Sequence, residues 1–183
     1  ETDEINEAFI IFETLNARGK DLETSDLLKN HLFRSAGHII DKVKKTWMDI
    51  VENLESIDLT KFIRHYWNSQ YEFTREKDLY KKLRNLISSP KICEDFVENL
   101  LEMSDVYKAL YSPNEETYFQ DNEINKSLKA LNLFGASTYY PIVMAMVNRK
   151  YCEQDIKIII KNIETFIFRN CVVAGKVANK FEI

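Results

Sequence analysis

Glycine and proline are scarce in this chain, four and three in 183 residues. So few chain-turning residues exclude a protein of many short strands, because sheets need frequent turns, and favour long helices. Cysteine is equally sparse. Cys93, Cys152 and Cys171 are odd in number, widely spaced and free of any Cys-x-x-Cys pair, which excludes a zinc ribbon and a dithiol redox motif. Reduced thiols in a cytoplasmic protein are the expectation. No apolar run approaches the ~20 residues that cross a bilayer, and no signal-peptide pattern opens the chain. Surplus positive charge is missing too. Lys and Arg number 25 against 29 Asp and Glu, a formal net charge of −4, which argues against a general polyanion binder while leaving room for a local basic face. His31, His38 and His65 show no metal-ligand spacing, so no metal site is expected. Walker loops and Gly-x-Ser-x-Gly elbows are absent. Acidic pairs such as Asp121 and Glu123 are too common on helices to indicate hydrolysis, and no catalytic residue is assigned.

What is present is a chain of ordinary globular composition, 45% hydrophobic and 30% charged, long enough for a substantial core. Apolar residues at three- and four-residue steps predict a first helix over 3–16, built on Ile5, Ala8, Phe9, Phe12 and Leu15. A second is expected from Thr24 or Ser25, either able to cap its opening amides, to just before Gly37, burying Leu27, Leu28, His31 and Leu32. A third carries Ile39 through Leu54. A short helix with Leu59, Phe62, Ile63, Tyr66 and Trp67 should break at Asn68-Ser69-Gln70. Thr74 is then expected to cap the next helix. Ser89-Pro90 marks a restart, with serine as cap and proline in the first turn. After the polar interruption Ser112-Pro113-Asn114-Glu115-Glu116, three further helices are expected. One ends near Gly135, one spans Tyr139 to Asn148, and one runs from Glu153 to Cys171. The Tyr139–Asn148 segment is apolar nearly all round and so expected to be central. The fold class is all-α, an irregular multi-helix array of about eight or nine helices.

The densest chemistry lies in Ile11-Phe12-Glu13-Thr14-Leu15-Asn16-Ala17-Arg18-Gly19-Lys20-Asp21-Leu22 and the Ser25-Asp26-Leu27-Leu28-Lys29-Asn30 that follows. It reads as a helix end, a glycine turn and a helix start, with Asn16, Arg18, Gly19, Lys20, Asp26, Lys29 and Asn30 as candidate anion- or nucleotide-binding residues. Arg18 and Lys20 flank a glycine that lets a ligand approach closely. The amides opening the next helix favour negative charge, and Asp26 can orient Arg18 or Lys29. Taken on spacing alone, a solvated polar turn is the plainer reading.

This segment resembles the second signature of the N-terminal family of GmrSD-type modification-dependent restriction endonucleases. That signature runs as Phe-x-x-Leu/Ile-Asn-x-Arg-Gly-x-x-Leu followed by Asp-Leu-x-Lys-Asn. Phe12, Leu15, Asn16, Arg18, Gly19, Leu22, Asp26, Leu27, Lys29 and Asn30 match it. Looser similarity continues in Phe62-Ile63-Arg64-His65-Tyr66-Trp67 with Leu79-Tyr80-Lys81-Lys82, and in Ile163-Glu164 through Phe168-Arg169, Gly175, Asn179, Lys180 and Phe181. Asn170 stands where the family pattern has a second arginine. The family's Asp-Gly-Gln-Gln-Arg motif and its His-Asn-His nuclease domain are both absent, so the chain reads as a central fragment of a longer antiphage protein.

The resemblance implies two parts. Residues 1–36 would form the hairpin that completes a nucleotide site of a preceding domain, and 37–183 a helical connection to a following nuclease. The partners implied are those two domains and modified DNA, with no membrane; nothing in the sequence specifies an oligomeric state. The parent would use a nucleoside triphosphate and a divalent metal, with no cofactor held by this fragment, which alone should be inactive.

Arg75, Lys77, Lys81, Lys82 and Arg84 are candidate nucleic-acid contacts, with Trp67, Tyr71 or Tyr80 near for stacking. Glu76 and Asp78 interrupt the run, so a solvated helix face is the plainer reading. Lys157 and Lys161, one turn apart, carry the same ambiguity. Tyr66, Trp67, Tyr71 and Phe73 suggest either a base-binding pocket or, more plainly, core packing. Two rival readings from other classes are a non-enzymatic protein-interaction module and a DNA-binding scaffold.

Overall fold

The computed structural model describes residues 23–113 and 118–175; the helix expected over 3–16 lies outside them. Among the described residues there are eight α-helices and no strand, in keeping with the all-α class and the low glycine and proline content. They are α1 (Thr24–Ser35), α2 (Ile40–Leu54), α3 (Leu59–Gln70), α4 (Glu76–Leu86), α5 (Pro90–Tyr111), α6 (Asn122–Leu133), α7 (Tyr140–Asn148) and α8 (Glu153–Phe168). A 3-10 turn at Gly37–Ile39 joins α1 to α2, and a π turn at Arg169–Val173 follows α8.

Local chemistry sets most boundaries. Asp58 caps α3 by accepting from the Lys61 amide at 2.9 Å, and Ser89 caps α5 from the Ile92 amide at 3.3 Å, with Pro90 in its first turn. Gly37 and Gly135 have positive φ, +53° and +65°, the left-handed conformation that stops a helix at little cost only in glycine.

The 22-residue α5 is the axis. It buries Cys93, Phe96, Val97, Leu100, Val106, Tyr107 and Leu110. Beside it runs α2, in the same direction, with Lys42 facing Glu94 and Glu98 and Asn53 facing Asp105 one helix-length later. α3 and α7 also run parallel, His65 lying against Tyr140 and Gln70 against Asn148. The third such pair is α6 and α8, from Glu123–Lys161 to Phe134–Phe168. Leu28, Leu32 and Ala36 of α1 enter the same core, each buried leucine contributing roughly 1.5–3 kcal/mol.

Three expectations need correction. The helix does not break at Asn68-Ser69-Gln70: α3 runs through Gln70, because the Ser69 hydroxyl donates to the Tyr66 carbonyl at 2.6 Å and the Asn68 amide reaches forward to the next loop. Thr74 is not a helix cap; it is buried with its hydroxyl committed to the Trp67 indole, and Arg75 occupies the cap position. Nor do Thr24 and Ser25 cap α1. Glu23 precedes it, while the Ser25 amide donates to Thr60 Oγ1 at 3.3 Å and the Thr60 hydroxyl to Ser25 Oγ at 3.1 Å.

Behind α3 lies a closed aromatic group. His65 Nδ1 and the Tyr107 hydroxyl are 3.1 Å apart, and the Tyr140 hydroxyl donates to the Leu110 carbonyl at 3.1 Å. Burial, helped by the charges of Arg64 and Lys61, pushes the His65 imidazole down to about 3. It is neutral at any ordinary pH. His65 is therefore structural.

Candidate nucleic-acid interface

The turn between α3 and α4 carries residues 71–75, and its shape follows from three side chains on or beside α3. The Trp67 indole N–H donates to Thr74 Oγ1 at 2.9 Å and to the Glu72 carbonyl at 3.1 Å. The Thr74 amide donates to Asn68 Oδ1 at 2.8 Å. With Thr74 and the 4% exposed Trp67 drawn into the core, Tyr71, Glu72 and Phe73 of the turn between them face outward. Phe73 is 53% exposed and Tyr71 42%, the latter stacked on Trp67 with ring centres 4.4 Å apart and planes 28° from parallel.

The expected aromatic cluster is thus split. Tyr66 and Trp67 pack in the core, as the plainer reading had it; Tyr71 and Phe73 do not.

α4 starts at this turn. Leu79 and Leu83 anchor it, so Lys77 and Lys81, one turn apart, face solvent. Arg75, Lys77, Lys81 and Lys82 share one depression of about 680 Å³ with Phe73, Thr74, Asn85, Glu72 and Asp78. Lys82 is ion-paired to Glu72. Among the described residues no ion pair holds Arg75, Lys77 or Lys81. Arg84 does not line the depression. Burial holds the His31 imidazole below its ordinary range, helped by the charges of Arg34 and Arg84 and opposed by the hydrogen bond from His31 Nε2 to the Ile87 carbonyl. Four of the five sequence-selected basic residues are therefore brought together. Sequence reasoning missed Glu72, Asn85 and the pinned loop: Glu72 and the loop come from the turn, and Asn85, one turn beyond Lys81 on the same face of α4, carries no charge to mark it.

The signature residues near the amino end divide differently. Asn16, Arg18, Gly19 and Lys20 lie outside the described residues. On α1, Asp26 is exposed, Lys29 and Asn30 are half-buried, and no ion pair joins Asp26 to Lys29 among the described residues. The amides of Ser25, Asp26 and Leu27 are already engaged by Thr60 and by the Glu23 carbonyl. The amide contribution expected for an anion is thus not offered by these three. One ammonium, one carboxylate and one amide side chain balance to no net charge, so Asp26, Lys29 and Asn30 offer no surplus positive charge by themselves. No group of three or more His, Cys, Asp or Glu side chains arranged to hold a metal occurs among the described residues.

A second concavity lies between α7 and α8. Of α7, only Tyr140, Val143 and Met144 are buried, which corrects the expectation of a wholly central helix. Ile142, 50% exposed, joins Ala145, Met146 and the 49% exposed Ile158 in an apolar groove of about 650 Å³, edged by Asn68, Arg149 and Asp155. The signal was in the sequence: a helix apolar on every side must bury all of itself or leave one face for something else. No helix of the described residues is long and apolar enough to cross a membrane. Comparison with models of known families, with curated proteins and with solved structures gives no match.

Proposed function

We propose that this chain is the helical connecting part of a GmrSD-like restriction protein, and that it touches DNA through the α3–α4 corner. The observation that carries the DNA contact is the gathering of Arg75, Lys77, Lys81 and Lys82 around exposed Phe73 in one depression of an otherwise acidic chain. Cationic side chains beside an exposed ring are the combination that nucleic-acid backbones and bases both favour. The tie to the restriction family rests on the resemblance at Asn16, Arg18, Gly19, Asp26, Lys29 and Asn30. By that resemblance the signature would complete a nucleotide site contributed by a preceding domain, and the helical array would link it to a nuclease.

The test has two arms. The isolated chain should be retained on DNA in a salt-dependent way, and Lys77→Glu with Lys81→Glu should weaken retention strongly; retention indifferent to salt and to charge reversal would refute the contact. In the full-length parent, Arg18→Ala should impair nucleotide-dependent cleavage, whereas wild-type activity would refute the nucleotide role. Without either neighbouring domain the chain should neither hydrolyse nucleoside triphosphates nor cut DNA. The apolar α7–α8 groove favours a second reading, a non-enzymatic protein-interaction module, which predicts no DNA retention at all.

A further inference from the structure

Resting on the reading that the α3–α4 corner contacts nucleic acid, we infer that its ligand is single-stranded, with an unpaired base stacked on Phe73 and flanking phosphates held by Lys77 and Lys81. Three observations converge on this.

The first is that Phe73 is presented, not loose. The residues on either side are tied down, Glu72 through its carbonyl and Thr74 through both hydroxyl and amide, to Trp67 and Asn68. The ring's exposure is therefore built into the turn. A ring held in advance loses little conformational freedom when a base lands on it. Tyr71, already stacked on Trp67, adds a second flat surface on the same turn.

The second is shape. The site is a depression of about 680 Å³, within the ~300–1,000 Å³ typical of sites that enclose small groups. Duplex readers work the other way round, pushing a convex helix into a major groove ~12 Å wide. In a duplex each base face is covered by its neighbours, leaving only edges and phosphates to touch. Phe73 meets a base face most readily where the base is already unpaired and unstacked, since in a duplex the step must first be pried open at a cost of a few kcal/mol.

The third is charge. Glu72 and Asp78 sit among the four cationic groups and one of them neutralises Lys82. What remains is a small excess of positive charge, enough for a short stretch of backbone rather than for a long polyanion track. Asp78 also offers an acceptor of the kind that reads an exocyclic amino group on a base edge.

The experiment is fluorescence anisotropy of the whole chain with a short labelled homothymidine strand and with a duplex of equal length, across a salt series. The strand should bind ~10-fold or more tightly than the duplex, one stacked base supplying a factor of that order. Phe73→Ala should lose about that factor for the strand and leave the salt slope unchanged, while Phe73→Trp should keep affinity and show quenched indole emission on binding. Lys77→Ala with Lys81→Ala should reduce the slope by ~1.4, the value for two single-strand phosphates. Phe73 has no role in the core, so circular dichroism should report an unchanged fold in its variants. Equal affinity for strand and duplex, or strand binding indifferent to Phe73→Ala, overturns the inference while salt-dependent duplex binding keeps the proposed DNA contact. No salt-dependent binding to either ligand overturns both.

Discussion

Two pairs of lysines, each one helical turn apart, meet different fates. Lys157 and Lys161 on α8 face the start of α6, where Lys157 lies 2.8 Å from Asp121 and Lys161 3.0 Å from Glu123. The hydrogen bond that Lys157 donates to Asp121 raises its ammonium above the ordinary range, and the contacts with these lysines lower both carboxyls. These lysines hold one helix to another. Lys77 and Lys81 on α4 are exposed, and among the described residues neither has a carboxylate partner. Spacing and residue type are the same in both pairs. The difference lies in which element packs opposite, and it teaches that a basic stripe becomes a binding surface only where the fold leaves it without a partner.

The largest effect should come from the residue that makes the corner what it is. Trp67→Ala removes a buried ring together with the donor that holds the 71–75 turn, and should lower unfolding free energy by about 3–5 kcal/mol in chemical denaturation. Phe73→Ala, six positions on and equally aromatic, should leave that midpoint where it was; a comparable loss there would place Phe73 in the core after all.

Next come the lysine pairs themselves. Lys77→Glu with Lys81→Glu should weaken DNA retention by ~30-fold or more at low salt, roughly one phosphate contact per lysine, and leave thermal stability intact. Lys157→Glu with Lys161→Glu sets like charges against Asp121 and Glu123 and should lower the melting temperature while leaving DNA retention alone. Exchanged outcomes would reverse the comparison.

A third measurement contrasts the open corner with the closed group behind it. His65 is neutral when folded down to about pH 3 but takes up a proton below its ordinary 6.5 once unfolded. The unfolded state then binds more protons, so stability falls as pH falls through this window. Between pH 7.5 and 5 the loss should be about 2 kcal/mol, with half-buried His31 adding in the same direction. His65→Gln should flatten that acid limb; an unaltered slope would remove His65 as its cause. The paired carboxyls of α6, lowered by their lysines, contribute only below this range.

The smallest effect is also the only gain. The Tyr139 hydroxyl is buried without a hydrogen-bond partner among the described residues, and burial raises its ionisation well above the ordinary range. Removing an unsatisfied buried hydroxyl with Tyr139→Phe should raise stability by about 1 kcal/mol. Tyr140→Phe, which gives up a bond to the Leu110 carbonyl, should cost a similar amount in the same thermal scan.

Helical content, the Ser89-Pro90 restart, the Gly37 and Gly135 stops and most of the core were legible one residue at a time, because periodicity, capping and φ preference act over a few positions. Failures came where a side chain reached another element. Ser25 and Thr74 are each suited to capping, and both are taken instead by tertiary partners, Thr60 and Trp67. Of the site, the basic and aromatic residues could be named from the sequence. Their meeting in one depression could not, since Arg84 belongs to the same basic run and does not line it.

The amino-acid order alone thus determined that the chain is helical, where several of its helices end, and which residue types could meet a nucleic acid or another anion. These are short-range consequences of side-chain shape and charge. Tertiary structure decided which lysines are paired, which aromatic rings are covered and which amides are already taken, because desolvation and ion pairing depend on what lies opposite in space, and the partners are tens of residues away along the chain.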